Sequence, residues 1–233
     1  MSSYRPKTSV EIPLRDSTEN GLRRRLSDLC IGVWNLTQRW EELNGTSARL
    51  LEKIINARLR LLYARQNSSH RTGGPISMVS IRDEDRLTLR KDEKIETIES
   101  EDIYHLNQEE RHRIVEYLIV ETENLTMLLE EEMARIAGKL QRALVQLRAL
   151  RKLIDGSSDD IIDKEVKQRL RRAEEIIPDV LAMYRQELEA KRATLRDLAS
   201  YDCRTIFVAI IASWNQQPFI NNALLNSLYA LVV

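Results

Sequence analysis

Residues 22–61 read LRRRLSDLCIGVWNLTQRWEELNGTSARLLEKIINARLRL, and the apolar positions in this run decide the fold. Leu22, Leu26, Leu29, Val33, Leu36, Trp40, Leu43, Ser47, Leu50, Ile54, Ala57 and Leu61 follow one another at alternating steps of four and three, with Ser47 the one polar member. That is heptad spacing, the period that keeps one stripe of a helix turned toward a partner helix. Thr18 or Ser17 caps its start, Glu19 sits at the positive end of the helix dipole, and Gly45 after Asn44 marks a place for a kink.

A second seam lies downstream. Val115, Ile119, Thr122, Thr126, Leu129, Met133, Ile136, Leu140, Ala143, Leu147, Leu150 and Ile154 repeat the four-three spacing, and Asp155-Gly156-Ser157 ends it. Its charge is polarised: residues 108–132 hold eight acidic and two basic side chains, residues 133–154 six basic and none acidic. Between the seams, residues 66–107 carry Asn67-Ser68-Ser69, Gly73-Gly74-Pro75 and a run rich in charge, with a short strand-like segment from Ile76 to Ile81. This composition predicts a mobile charged linker.

The simplest closure of two seams across such a linker is an antiparallel helical hairpin. It brings the basic start of the first helix, Arg23-Arg24-Arg25, near the basic end of the second, so acidic groups must intervene; Asp155, Asp159, Asp160 and Asp163 are the nearest in the chain, and an acidic partner is the alternative. The predicted fold class is all-α: a long antiparallel coiled-coil hairpin with a smaller C-terminal helical region. Its segments are a flexible N-terminus over 1–17, helix one over 18–65, the linker over 66–107, helix two over 108–156 and the C-terminal region over 157–233. Pro178 is placed as a first-turn residue of the main C-terminal helix, whose apolar face is Val180, Leu181, Tyr184, Leu188, Leu195 and Leu198. Beyond Arg204 no charged residue remains, which requires that tail to be buried in its own core or against another chain.

Composition agrees with helix and limits function. Seven Gly and five Pro among 233 residues are few for a chain of strands and turns. Lys plus Arg and Asp plus Glu are 36 each, so no net field steers the chain to nucleic acid or an acidic membrane. The longest apolar stretch, from Ile206, is shorter than the roughly 20 residues of a membrane span, and the first residues lack the apolar run of a signal peptide. Cys30 and Cys203 are too few and too far apart for a disulfide framework or zinc site and read as reduced core thiols.

No phosphate loop, His-Glu-x-x-His, Gly-x-Ser-x-Gly or Cys-x-x-Cys occurs. His70, His105 and His112 fall in or near the linker; His105 and His112, with Glu109 or Glu116, stand two helical turns apart and read as solvated rather than as metal ligands. Arg23-Arg24-Arg25 and Lys167 to Arg172 read as solvated faces without aromatic platforms. The reading is a protein that is not an enzyme and takes no cofactor.

Three local patterns carry a resemblance. Asn35-Leu36, Arg39-Trp40-Glu41 and Leu43-Asn44 form the first. Leu181, Met183-Tyr184-Arg185, Glu187-Leu188 and Lys191-Arg192 form the second, and Trp214, Gln217-Pro218, Phe219 and Ile220 the third. In order and approximate spacing they resemble the cyclin-dependent kinase 2-interacting protein family, over residues 35–220, with no shared residues recognised in the linker or central helix. The resemblance implies a non-enzymatic nuclear adaptor in DNA replication, checkpoint signalling and genome maintenance. It implies a subunit of a chromatin-associated AAA ATPase complex that acts on replisome proteins and in ribosome maturation. The implied partners are a second small helical subunit, the AAA ATPase, cyclin-dependent kinase, a Cdc7-type kinase and the ATR-interacting protein, with no direct nucleic acid and no membrane.

Residue by residue, Trp40 reads first as a core knob. Arg185 with Glu189 and Glu187 with Lys191 are i, i+4 pairs worth about 0.2 to 0.5 kcal/mol each. Met, Tyr and Arg are types enriched at interfaces, which makes Met183, Tyr184 and Arg185 partner-binding candidates along with the other residues of the three patterns. Pro218 biases Gln217 to extended geometry and presents Phe219 on a corner. No proline follows Ser or Thr, so a proline-directed kinase has no site; Ser100 and Ser158, each before two acids, suit an acid-directed kinase instead. Arg24-Arg25-Leu26 has the form of a cyclin-docking Arg-x-Leu, but Leu26 lies on the seam. The competing class is a structural coiled-coil tether that self-associates.

Overall fold

The computed structural model describes residues 14–70, 106–156 and 163–233. Within them every regular element is helical: α1 (Leu14–His70), α2 (Gln108–Met127), a π-helical turn (Leu128–Met133), α3 (Ala134–Asp155), α4 (Lys164–Asp197), α5 (Arg204–Gln216) and α6 (Asn222–Tyr229). A 3₁₀ turn, Leu198–Ser200, separates α4 from α5. No described helix is long and apolar enough to cross a membrane. Ile76 to Ile81, His105, Ser100, Ser158, Asp159 and Asp160 lie outside the described residues.

The hairpin forms. The C-terminal end of α1 meets the start of α2, where Arg111 donates to the Ala64 carbonyl and Lys53 pairs with Glu121 at 3.3 Å. α1 runs unbroken through Gly45 and begins before the expected Thr18, at Leu14. Helix two starts on a capping box: the Asn107 side chain accepts from the Glu110 N–H while Glu110 accepts from the Asn107 N–H. At the far end, Arg23 reaches Asp163 at 3.0 Å and Glu165 at 3.1 Å, while Arg151 of helix two pairs with Asp155 and Glu174, so each basic end has acids of this chain as partners. Both sides of the Arg23–Asp163 pair are near half exposed, so it orders the corner more than it stabilises it.

Two helices do not complete the core. α1 buries eight of the twelve positions of its predicted seam, with Leu22, Leu36, Leu50 and Leu61 half-buried, and also buries Cys30, Thr37, Asn44 and Leu51, a second stripe at steps of seven. The hairpin covers one side of α1, while α4, α5 and α6 cover another. α4 packs along α3 and passes straight through Pro178, which is inside the helix rather than in its first turn. A proline in a helix interior costs about 3 kcal/mol. Val166, Leu170, Ala173 and Ile177 before it and Val180, Leu181 and Tyr184 after it are all buried, and this packing outweighs the cost.

A second correction concerns the acidic half of helix two. The four-three pattern holds from Leu129 to Ile154, but upstream the core is built by Ile114, Leu118, Glu121 and Leu125, one residue out of step with the expected Val115, Ile119, Thr122 and Thr126. The π turn is the reason. Its i to i+5 hydrogen bonding takes up an extra residue, so the stripe that is continuous in sequence changes face across it.

The uncharged tail is only partly covered. Phe207, Trp214, Leu228 and Leu231 are buried, whereas Ile206, Val208, Phe219, Tyr229 and Val233 are exposed. α6 is held by Tyr229 against Trp34, ring centroids 5.1 Å apart, and by Arg169 donating to the Leu231 carbonyl.

Cys30 is the core thiol expected, but Cys203 is exposed, at the N-cap of α5. The backbone N–H groups of Ile206 and then Thr205 lower its pKa, while burial raises that of Cys30 against the weaker pull of Arg169. Iodoacetamide near neutral pH is therefore expected to alkylate Cys203 alone in the native protein and both thiols in denaturant. Peptide mass spectrometry checks this; equal labelling of the native thiols contradicts the placement of Cys30.

Candidate functional site

The three sequence patterns meet at one place. Trp40 comes from the middle of α1, Tyr184, Glu187 and Lys191 from successive turns of α4, and Trp214 and Gln217 from the end of α5. Trp40 is fully buried, its ring against Tyr184 with centroids 4.8 Å apart and planes tilted by 57°. Its indole Nε1 donates to Gln217 Oε1 at 2.8 Å, and Gln217 Nε2 donates in turn to both carboxylate oxygens of Glu41, at 3.1 and 2.9 Å. Each of the three patterns thus contributes to one set of contacts across roughly the whole chain.

Lys191 and Glu187 form the second half of the knot. Both side chains are 2% exposed, and Lys191 Nζ stands 3.0 Å from Glu187 Oε1. Lys191 also donates to the Trp214 carbonyl at 3.0 Å and lies 4.4 Å from the centre of the Trp214 ring. The other Glu187 oxygen accepts from the Phe219 N–H at 3.3 Å. Burial lowers the Lys191 pKa, and the charges of Glu187 and Glu41 oppose it. The pair read from sequence as a surface i, i+4 contact is an internal ion pair with every polar end engaged.

Ser47, the one polar member of the α1 seam, belongs to the same network. Its Oγ accepts from Trp214 Nε1 at 2.8 Å and donates to the Asn44 carbonyl at 2.8 Å. In the sequence Ser47 is only a break in the apolar series; a lone polar residue on an otherwise apolar seam was the available signal. Gln217 also departs from expectation. It is left-handed, φ 47° and ψ 68°, rather than extended, with its N–H on the Ser213 carbonyl and its carbonyl accepting from the Ile220 N–H. Its amide contacts with Trp40 and Glu41 hold the conformation that the following proline does not favour.

The remaining candidates lie outside the knot. Arg185 is exposed and donates to Gln141 at 3.0 Å instead of pairing with Glu189; Glu189 pairs with Arg192, which also binds Glu130 at 2.9 Å. Met183 and Leu188 are buried, with Met183 Sδ 3.5 Å from the Asn221 N–H. Pro218 and Phe219 are exposed on the corner after α5, and Ile220 is half-buried. His112 sits beside Glu116 at 3.3 Å on the outside of α2.

The knot has no activated nucleophile and no open cleft; what it does is fasten α5 and the corner after it to α1 and α4. Burial, and after it the charge of Glu41, holds the Tyr184 phenol above its ordinary value of 10.0, with Thr37 acting the other way. A phenol raised in the folded state stabilises fully below the unfolded value and loses that contribution as pH rises above it. Urea midpoints are accordingly expected to fall above pH 10, and less steeply in Tyr184→Phe. Because Lys191, lowered by burial, acts in the opposite direction below its ordinary 10.5, the comparison between the two proteins isolates the phenol. No protein-family model matches the chain, and no curated protein matches it significantly in sequence.

Proposed function

We propose that the chain is a non-enzymatic nuclear adaptor in DNA replication, checkpoint signalling and genome maintenance, and a subunit of an AAA ATPase complex acting on replisome proteins and in ribosome maturation. The observation that carries this reading is the convergence of the three patterns resembling the cyclin-dependent kinase 2-interacting protein family. Trp40 and Glu41, Glu187 and Lys191, and Trp214 and Gln217 are scattered in sequence and joined by direct hydrogen bonds and ring contacts in space. That these residues touch one another supports reading the three patterns as one set and not as three separate matches. In this reading the knot is the frame, and the adaptor surfaces are the exposed faces that it positions, where Asn35, Arg39, Arg185, Pro218 and Phe219 of the three patterns lie. Partners are a second small helical subunit, the ATPase, the two kinases and the ATR-interacting protein.

The test is co-expression of the full chain with the helical subunit of such a complex, followed by light scattering. A stoichiometric complex supports the adaptor, and Phe219→Asp with Arg185→Glu should weaken it without lowering the melting temperature. A concentration-dependent homodimer indifferent to the partner supports the second reading, a self-associating tether. The exposed Ile206 and Val208 of α5 are what favour that alternative.

A further inference from the structure

The π turn leaves a heptad seam that no other described residue covers. Upstream of Leu128, Val115, Ile119, Thr122 and Thr126 keep the four-three spacing of a coiled-coil stripe, yet Val115 is 43% and Ile119 53% exposed, because the core takes the neighbouring register. This outward stripe, with Met127 at 54% exposure, walls an open groove of about 870 Å³ whose floor is Ile54 of α1 and Leu198. Leu118 and Leu195 close its sides, half-buried. From Val115 to Met127 the groove runs about 18 Å along α2 at 1.5 Å per residue, room for about three turns of another helix.

Its charge is one-sided. Between Ile114 and Glu132 the chain carries Glu116, Glu121, Glu123, Glu130, Glu131 and Glu132 and no Lys, Arg or His. With Val115 and Thr122 at d and Ile119 and Thr126 at a, the e positions are Glu116, Glu123 and Glu130, glutamate at every seventh residue. In a coiled coil these flanking positions choose the partner by charge. Glu130 is held by Arg192 and Glu116 neighbours His112, while Glu123 and Glu131, both lining the groove, make no ion pair with a described residue. The one cation of the lining, Arg58, turns its guanidinium to the carbonyls of Ala199 and Tyr201, at 2.9 Å each. Two copies meeting antiparallel, seam to seam, would set glutamate against glutamate, which disfavours that dimer here.

We infer that the outward face of α2 is a docking site for a helix of another protein that presents an apolar heptad stripe flanked by Lys or Arg. The groove supplies shape and apolar area; the row of glutamates supplies orientation and rejection of acidic helices. The inference rests on this surface alone and stands or falls separately from the adaptor reading.

The experiment uses the full chain and two fluorescein-labelled 21-residue peptides with leucine at a and d, one with lysine at e and g, the other with glutamate there. Anisotropy titration at physiological salt is expected to show saturable one-to-one binding of the lysine peptide, at least tenfold tighter than the glutamate peptide. Ile119→Arg, at an exposed position, should weaken it tenfold or more with an unchanged thermal melt. Val145→Arg, at a comparably exposed site on α3, should leave it as it was. Equal affinity for the two peptides, or binding indifferent to Ile119→Arg, overturns the proposal. A homodimer that Ile119→Arg converts to monomer also overturns it, by assigning the face to a second copy.

Discussion

Lys191→Met is expected to lower the unfolding free energy by about 3 to 5 kcal/mol, the cost of leaving a buried carboxylate without its cation. Three consequences compound: Glu187 keeps a buried charge, the Trp214 carbonyl loses its donor, and the cation over the Trp214 ring is gone. Glu187→Leu should cost a similar amount by the converse route, stranding the ammonium and the Phe219 N–H. The double variant should cost less than the sum of the two, because it removes both buried charges and leaves only the backbone groups unsatisfied. Urea titrations followed by circular dichroism measure all three. Additive losses would mean that the two side chains do not act as a pair.

The second large effect is at Trp40. Trp40→Ala should lose about 3 to 5 kcal/mol, the usual range for deleting a buried tryptophan. It removes the ring packed on Tyr184 and the donor to Gln217 together. Trp40→Phe separates these: the ring contact survives in part, and the loss should shrink to about 1 to 3 kcal/mol, the cost of an unsatisfied buried amide oxygen. The damage should also be local. Gln217 links α5 to both Trp40 and Glu41, so Trp40→Ala should free the C-terminal segment and speed tryptic cleavage after Arg204, the last basic residue of the chain. If cleavage at Arg204 is no faster in Trp40→Ala than in the wild type at matched folded fraction, the knot does not secure α5.

Much of this molecule was legible in one dimension. The seam of α1, the return seam from Leu129 to Ile154, the end at Gly156 and the antiparallel closure followed from spacing, since a stripe of helical period must be covered and a neighbouring stripe is the cheapest cover. Asp155 and Asp163 were picked out as acids near the basic ends, and they pair with Arg151 and Arg23. The three patterns placed Trp40, Glu187, Lys191, Trp214 and Gln217 in one set. What spacing did not convey was that Lys191 and Glu187 are internal: on a helical wheel the pair looks like any exposed i, i+4 contact, and only the carbonyl of Trp214 and the N–H of Phe219, far along the chain, make its burial tolerable. Pro178 was misplaced for a related reason. Its local rule marks a helix start, and the packing of Ile177 and Val180 on either side overrides it.

That this chain is helical, where the α1 seam and the stripe from Leu129 to Ile154 lie, and how its charge is divided all follow from periodicity, capping and composition, local properties that a single strand of residues already contains. The face that α2 turns to the core is set by packing instead. One residue absorbed in the π turn rotates the stripe of Val115 and Ile119 from the core to solvent, and nothing in a four-three pattern records such a change of phase, since hydrogen-bond register is chosen by how Leu125, Leu129 and Met133 pack against their neighbours. Packing also joins Trp40, Ser47, Lys191 and Gln217, whose bonds span distances along the chain over which sequence spacing carries no geometric information.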